Sequence, residues 1–305
     1  MKAPVLFIIF NRPEFTQKVF DKIKEYKPSQ LFIVADGPRE NNYSDLITCE
    51  KTRKIVEQIN WQCELNTLFR DKNLGCKISV SEGISWFFKH VSFGIILEDD
   101  CLPNSSFFKY CNHYLNEYRY DDNVYSISGS RFININKRSN FYLGKYSLMW
   151  GWATWENRWN KYKIDTFDYT EVLRKTFLNR KTLYNYWDNV FFMLNNDSID
   201  TWDFQWILTV FRESGYVVRP PYNLVENLGF NQDATHTSDL NHPVASLKSY
   251  EIEEVFPNNL QYNIKIDYED EEIWLQLNLR KKIIWRFRNS IRTLGVILRK
   301  INLRK

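Results

Sequence analysis

Short apolar runs alternate along the first hundred residues with stretches whose apolar positions recur every three or four residues. The first pattern is that of a strand buried on both faces, and the second that of an amphipathic helix. Residues 5–10 (Val-Leu-Phe-Ile-Ile-Phe) predict a first strand, and 14–26 carry Phe15, Val19, Phe20 and Ile23 at helical spacing. Residues 31–35 predict a second strand, ended by the turn residues Asp36-Gly37-Pro38. A helix over 44–59, a third strand over 64–69, a helix over 77–90 and a fourth strand over 93–97 follow, then a helix over 104–118 with Asn104 as its cap. Repeated strand–helix units of this length imply an α/β fold, a mostly parallel sheet with helices on both faces.

Beyond residue 120 the pattern loosens. Residues 124–128 predict a strand, and 215–219 another before Pro220-Pro221. Between them lie Met149-Trp150-Gly151-Trp152-Ala153-Thr154-Trp155, an aromatic polar region to about residue 200, and a helix opening at Thr201-Trp202-Asp203. Residues 226–243, rich in Asn, Asp, Thr and His, predict a loop. The chain is therefore expected to divide into a main domain over 1–250, an acidic linker over 251–279 and a basic amphipathic helix over 280–305. In that helix Ile284, Phe287, Ile291, Leu294, Leu298 and Ile301 share one face.

Charge sharpens this division. Residues 280–305 hold ten basic side chains and no acidic one, so the formal net charge of +4 becomes −6 for residues 1–279. A basic helix suits either an anionic membrane surface or packing on its own domain. The acidic body argues against nucleic acid as a partner. Five scattered cysteines, without a Cys-x-x-Cys pair, point away from zinc and toward a reducing, cytoplasmic setting, in which the basic helix would allow peripheral contact at the inner membrane face. Six apolar residues at 5–10 are too few for a signal core or a membrane span. Aromatic residues make up 17% of the chain, a load that serves a core and also suits stacking on bases or sugar rings.

The candidate chemistry lies at the strand ends. The fourth strand stops in Glu98-Asp99-Asp100, three carboxylates bracketed by Gly94 and Pro103. Such hard oxygen ligands suit Mg²⁺ or Mn²⁺, with substrate phosphates completing the shell. In open α/β sheets ligands bind beyond the carboxyl ends of the strands. Arg12 after the first strand and Asp36 after the second fall on the same rim, which suits a nucleoside diphosphate. No Gly-x-x-x-x-Gly-Lys-Ser/Thr loop and no Gly-x-Gly-x-x-Gly is present. Each residue also has a plainer reading: a surface ion pair for Arg12, a turn for Asp36, and a helix cap for Asp203.

These residues resemble the GT-A glycosyltransferases, and within them the inverting N-acetylglucosaminyltransferases of N-glycan and O-mannosyl glycan synthesis. The resemblance spreads over most of residues 4–240. It rests on the strand that ends in Asn11-Arg12, on Asp36, on Glu98-Asp99-Asp100 with Pro103, Phe107, Phe108 and Tyr110 after it, on Trp150-Gly151-Trp152, on Trp202-Asp203-Phe204-Gln205-Trp206 and on Thr235-His236. It departs at Phe204-Gln205, where the family has a second Asp, and at Ser81, near which the family has a His.

The resemblance implies a GT-A fold and a metal-dependent inverting transfer of a sugar, N-acetylglucosamine among the candidates, from a UDP-sugar to a hydroxyl of a glycan or lipid-linked acceptor. Asp100 and His236 would hold Mn²⁺ or Mg²⁺. Arg12, Asp36, Glu98 and Asp99 would contact the nucleotide, Asp203 would be the base, and Trp150, Trp152 and Trp202 would line the acceptor side. A reducing compartment and a basic tail would suit bacterial polysaccharide or lipid-linked glycan assembly. Two alternatives share the pattern: a sugar nucleotidyltransferase, whose usual glycine-rich first loop is replaced here by Phe10-Asn11-Arg12-Pro13, and a non-catalytic nucleotide- or sugar-binding module.

Overall fold

A computed structural model of the chain describes residues 2–132, 140–196, 198–230, 242–245 and 247–275. The predicted alternation holds through the first half. β1 (Val5–Ile9) leads into α1 (Pro13–Tyr26), which has Pro13 in its first turn and ends at Lys27 in the left-handed region. β2 (Gln30–Ala35) is followed by α2 (Tyr43–Arg53) and a 3₁₀ turn, Lys54–Gln58, so the single helix expected over 44–59 tightens at its end. β3 (Glu64–Phe69), α3 (Gly75–Phe87) and β4 (Phe93–Glu98) follow. Next come β5 (Cys101–Pro103) and α4 (Ser105–Glu117), whose cap Asn104 accepts a hydrogen bond from the Phe107 N–H at 3.1 Å.

The second half contains more regular structure than its pattern predicts. β6 (Val124–Ser128) matches expectation. β7 (Tyr142–Gly144), β8 (Trp152–Trp155), α5 (Glu156–Trp159), α6 (Tyr169–Thr176) and α7 (Lys181–Leu194) fill the aromatic region. α8 (Asp203–Arg212), β9 (Tyr216–Arg219), β10 (Val225–Asn227) and α9 (Ile264–Trp274) complete the described chain.

The main sheet has the order β3-β2-β1-β4-β8-β6-β9-β7. β3, β2, β1 and β4 are parallel, as are β6 and β9; β8 runs against both β4 and β6, and β7 against β9. The first four strands thus form a parallel, Rossmann-like half. β8 is the insertion that joins it to the rest. All four of its residues are buried, Ile96 lies opposite Trp152, and the strand has no polar-outward alternation.

The sheet separates two cores. Side chains alternate along a strand, so Val5, Phe7 and Ile9 of β1 face α1 and α4 while Leu6 and Ile8 face α3 and the α6–α8 group. The second core contains four packed tryptophans. Trp152 stacks on Trp202 at 5.7 Å between ring centroids, with Trp206 and Trp159 at 5.6 and 6.3 Å from Trp152. Each such pair adds about 0.5–1.5 kcal/mol beyond burial.

The stretch read as an acidic linker differs from that expectation where it is described. Glu251 accepts from the N–H groups of Ser105 and Ser106 at 3.0 and 2.9 Å, so it caps α4. Residues 261–263 exchange backbone hydrogen bonds with Leu143 and cover the outer edge of β7. α9 then turns its carboxylates inward. Asp270 pairs with Arg219 at 2.8 Å, both fully buried, and also accepts from the Tyr142 hydroxyl; Glu271 pairs with Arg180 and Tyr146. Acidity here fastens a strap to the fold, because the partners are arginines supplied by β9 and the start of α7. Removing one member of a buried pair of this kind costs about 3–5 kcal/mol. Residues 280–305 lie outside the described residues. Among the described residues no helix is long and apolar enough to cross a membrane.

Asp267 of α9 is 1% exposed and accepts from the Lys145 N–H. Burial pushes its carboxyl up to about 7. A raised carboxyl contributes stability that is full below the unfolded value near 4 and is lost as pH rises through about 7. Asp267→Asn is therefore expected to match wild type below about pH 4, to pull ahead as pH rises from there, and to exceed it at pH 8 by roughly 2–4 kcal/mol in urea unfolding. An identical pH dependence in both proteins would remove Asp267 as the source.

Candidate functional site

The register of β1 on β4 builds the site. Ile8 lies opposite Glu98, so the residues that follow each strand emerge side by side at the carboxyl rim. The Phe10 N–H donates to Asp99 Oδ2 at 3.1 Å. Two residues on, Arg12 precedes the Pro13 that starts α1, and its guanidinium turns back onto the triplet, 2.9 Å from Asp100 Oδ2 and 3.5 Å from Asp99 Oδ1. Among the described residues Arg12 is the cation that touches Glu98-Asp99-Asp100.

A single arginine does not neutralise three carboxylates. Burial pushes Glu98 well above the usual carboxylate range, and Asp100, Asp99 and Asp203 add to it. Asp99 is pushed up to about 7 by burial and by Asp100, with Arg12 opposing. Burial works against the charge on Arg12, and Asp99, Asp100 and Glu98 outweigh it.

Asp203 is half-buried at the first turn of α8. Its Oδ1 accepts from the Thr201 hydroxyl and, at 2.8 Å, from the Phe204 N–H; the cap position itself is Trp202, so Asp203 is not the helix cap the plainer reading expected but the first residue inside the helix. Its charge reaches Glu98 across the rim. It also raises the hydroxyls of the half-buried Tyr162 and Tyr186, whose main shift comes from burial. The sequence therefore brings Arg12, Glu98, Asp99, Asp100 and Asp203 into one neighbourhood.

Other expected residues lie elsewhere. Both oxygens of Asp36 are engaged by the loop before α3: Oδ1 by the N–H groups of Gly37 and Leu74 at 2.9 and 3.0 Å, Oδ2 by the Asn73 amide and the Gly75 N–H at 3.0 and 3.2 Å. Asp36 ties two strand-end loops together, which competes with the nucleotide contact expected of it. Trp152 and Trp202 are 1% and 2% exposed inside the tryptophan cluster and present no face to an acceptor. Trp150 is half-buried against Phe132 and Phe230, at the rim of a smaller cluster. His236 lies outside the described residues.

Three features escaped the sequence. β5 and β10 pair antiparallel, with Asn227 opposite Cys101, and the Leu228 N–H donates to the Asp100 carbonyl. A Cβ at residue 229 would lie 2.3 Å from Asp100 Oδ2, so any other residue there would push the Asp100 carboxylate aside. Asp200 faces the start of α3, its Oδ2 3.0 Å from where a Cβ on Gly75 would be, and Gly75 has φ +79°, a conformation suited to glycine. Cys76 sits among these acids: burial raises its thiol, and Glu98, Asp203, Asp200 and Asp100 raise it further. The Asn-x-Gly spacing at 227–229 was a signal for the first feature; nothing in the sequence marked Asp200 or Cys76.

Among the described residues no three His, Cys, Asp or Glu side chains converge into a metal cage. A closed structural site is therefore a poor fit. The crowded, under-neutralised carboxylates fit an open one, in which one or two protein oxygens hold a hard divalent cation and substrate phosphates complete the shell.

No protein-family model and no curated protein matches the chain. Among the solved structures similar to parts of it are the following three. 4-Diphosphocytidyl-2C-methyl-D-erythritol synthase from Anaerococcus prevotii DSM 20548 is 10% identical over 52% of this chain and 76% of its own, with a TM-score of 0.33. UDP-glucose pyrophosphorylase complexed with UDP-glucose is 13% identical over 48% of this chain and 64% of its own, with a TM-score of 0.29. Mouse xyloside xylosyltransferase 1 in its apo form is 8% identical over 69% of this chain and 81% of its own, with a TM-score of 0.33. All three likenesses are distant.

Asp36→Ala would take an acceptor from four donors, of which the Asn73 amide keeps the Gly37 carbonyl, and a donor left unpaired away from water costs about 1–3 kcal/mol. Relaxation and water recover part of this, so a loss of about 2–4 kcal/mol in chemical denaturation is expected. A change within about 0.5 kcal/mol, as for an ordinary surface residue, would show that the tie carries no weight.

Proposed function

We propose that the chain is a metal-dependent inverting glycosyltransferase that uses a nucleotide sugar, with a UDP-sugar as the donor and a hydroxyl of a glycan or lipid-linked molecule as the acceptor. The observation that carries this reading is the meeting of Arg12 with Glu98-Asp99-Asp100 at the carboxyl rim of two parallel strands, with Asp203 within electrostatic reach. The resemblance of these residues to GT-A motifs supports the sugar-transfer class. N-acetylglucosamine as the sugar rests on that resemblance alone.

Each residue takes a role in this reading. Asp100, with His236 and oxygens of the donor diphosphate, would hold Mn²⁺ or Mg²⁺. When bound, such a cation supplies Lewis-acid stabilisation of the departing diphosphate. Arg12, a planar donor beside that position, would take a phosphate oxygen. Asp99, held by the Phe10 N–H, keeps Arg12 aimed and is suited to the ribose. Asp203 would accept the proton of the acceptor hydroxyl as its oxygen forms the bond to the anomeric carbon and the carbon–phosphate oxygen bond breaks. Thr201 and the Phe204 N–H fix its orientation. In this account Trp152 and Trp202 support α8 from within the core, and Trp150 remains the aromatic residue placed to meet an acceptor. The basic segment 280–305 would contact an anionic membrane surface and bring the enzyme to a lipid-linked substrate.

UDP is expected to raise the thermal midpoint only when Mn²⁺ or Mg²⁺ is present. At about 100 times Kd the stabilisation is about 2.7 kcal/mol. Asp100→Ala is expected to abolish the metal-dependent part. Absence of a shift with any nucleoside diphosphate would sink the transferase reading.

Asp203→Asn is expected to bind UDP as wild type does while losing transfer, measured as UDP release with donor and acceptor, on the order of 10²–10⁴-fold. Equal rates in the two proteins would take Asp203 out of the mechanism.

A further inference from the structure

Arg12 occupies one of the two carboxylate oxygens of the residue proposed to hold the cation. Its guanidinium is 2.9 Å from Asp100 Oδ2, and a metal ligated there would face a positive charge at hydrogen-bond distance. Asp100 is closely confined. Its carbonyl accepts from the Leu228 N–H at 2.8 Å, Cys101 Sγ lies 3.5 Å from Oδ1, and Gly229 closes on Oδ2. Asp99 is pinned by the Phe10 N–H. Arg12 is the long, adjustable partner, with 28% of its side chain exposed.

We propose that Arg12 is a built-in counter-cation that must release Asp100 when a divalent cation binds, so that metal and nucleoside diphosphate are taken up as a coupled pair. The inference rests on the metal–diphosphate reading of the rim and adds the order of events to it. Metal alone exchanges one cation for another and strands the guanidinium beside a like charge. Metal arriving with a diphosphate gives that guanidinium a phosphate to hold, which its planar fork suits. Coupling of this kind is reciprocal: the diphosphate tightens the metal by the factor by which the metal tightens the diphosphate.

The test measures free Mn²⁺ by electron paramagnetic resonance during titration of the full chain, with and without UDP. Wild type is expected to bind Mn²⁺ weakly alone and at least about tenfold more tightly with UDP, the equivalent of about 1.4 kcal/mol. Arg12→Gln is expected to bind Mn²⁺ alone about tenfold more tightly than wild type and to lose most of the coupling. Arg12→Lys, which keeps the charge, is expected to bind Mn²⁺ alone as weakly as wild type. Arg12→Met replaces the glutamine variant if the latter fails to fold in a thermal scan. Mn²⁺ affinity without UDP that is no higher in the neutral variants than in wild type would overturn the proposal. If UDP binds no form under any condition, the diphosphate reading fails, and the Mn²⁺-alone comparison still decides whether Arg12 guards Asp100.

Discussion

The pairing of β1 with β4 is the constraint on which the rim depends. A parallel ladder aligns the carboxyl ends of both strands, and the register that sets Ile8 against Glu98 decides which residues emerge together. A slip of one residue would exchange the two cores, sending Val5, Phe7 and Ile9 to the face now held by Leu6 and Ile8. Burial on both faces therefore fixes the register, and the register delivers Arg12 to Asp99 and Asp100. The polar chemistry at the rim is positioned by apolar packing beneath it.

The same burial makes the rim electrostatically unbalanced. Carboxylates held together away from water resist ionising together, and one arginine offsets only part of that. The second ladder, β5 with β10, adds to the crowding by bringing Gly229 against Asp100. A chain built for stability alone would place a second cation or an apolar residue here. The rim is left short of positive charge, with Arg12 its one contacting cation among the described residues.

Much of the first half was legible in the sequence because its signals are local. Apolar runs mark β1, β2 and β4, Asn104 marks the start of α4, and turn residues follow β2. β8 was not legible: Trp152–Trp155 is short, buried on both faces and without alternation, and it pairs with residues some sixty positions earlier. α7 carries Leu183, Trp187, Val190, Phe191 and Leu194 at helical spacing, a signal present and hidden among polar aromatics. In the site, Arg12 and the triplet were legible because strand ends share a rim. Asp36 and the tryptophans show the limit. Residue type named their chemistry, but where a side chain turns depends on partners distant in sequence, the Asn73–Gly75 loop for Asp36 and Trp206 and Trp159 for Trp152.

The two ends of the main sheet are finished differently. At β7 the strap over 261–263 already occupies the open hydrogen-bonding groups of Leu143. At β3 the described residues show a partner on one side only, and the edge mixes Glu64, Asn66 and Thr67 with Leu65, Leu68 and Phe69. Unpaired strand edges recruit strands from other copies, and charge is a common defence. Self-association by edge pairing of the main sheet would therefore enter at β3, the strand farthest along the sheet from the strap.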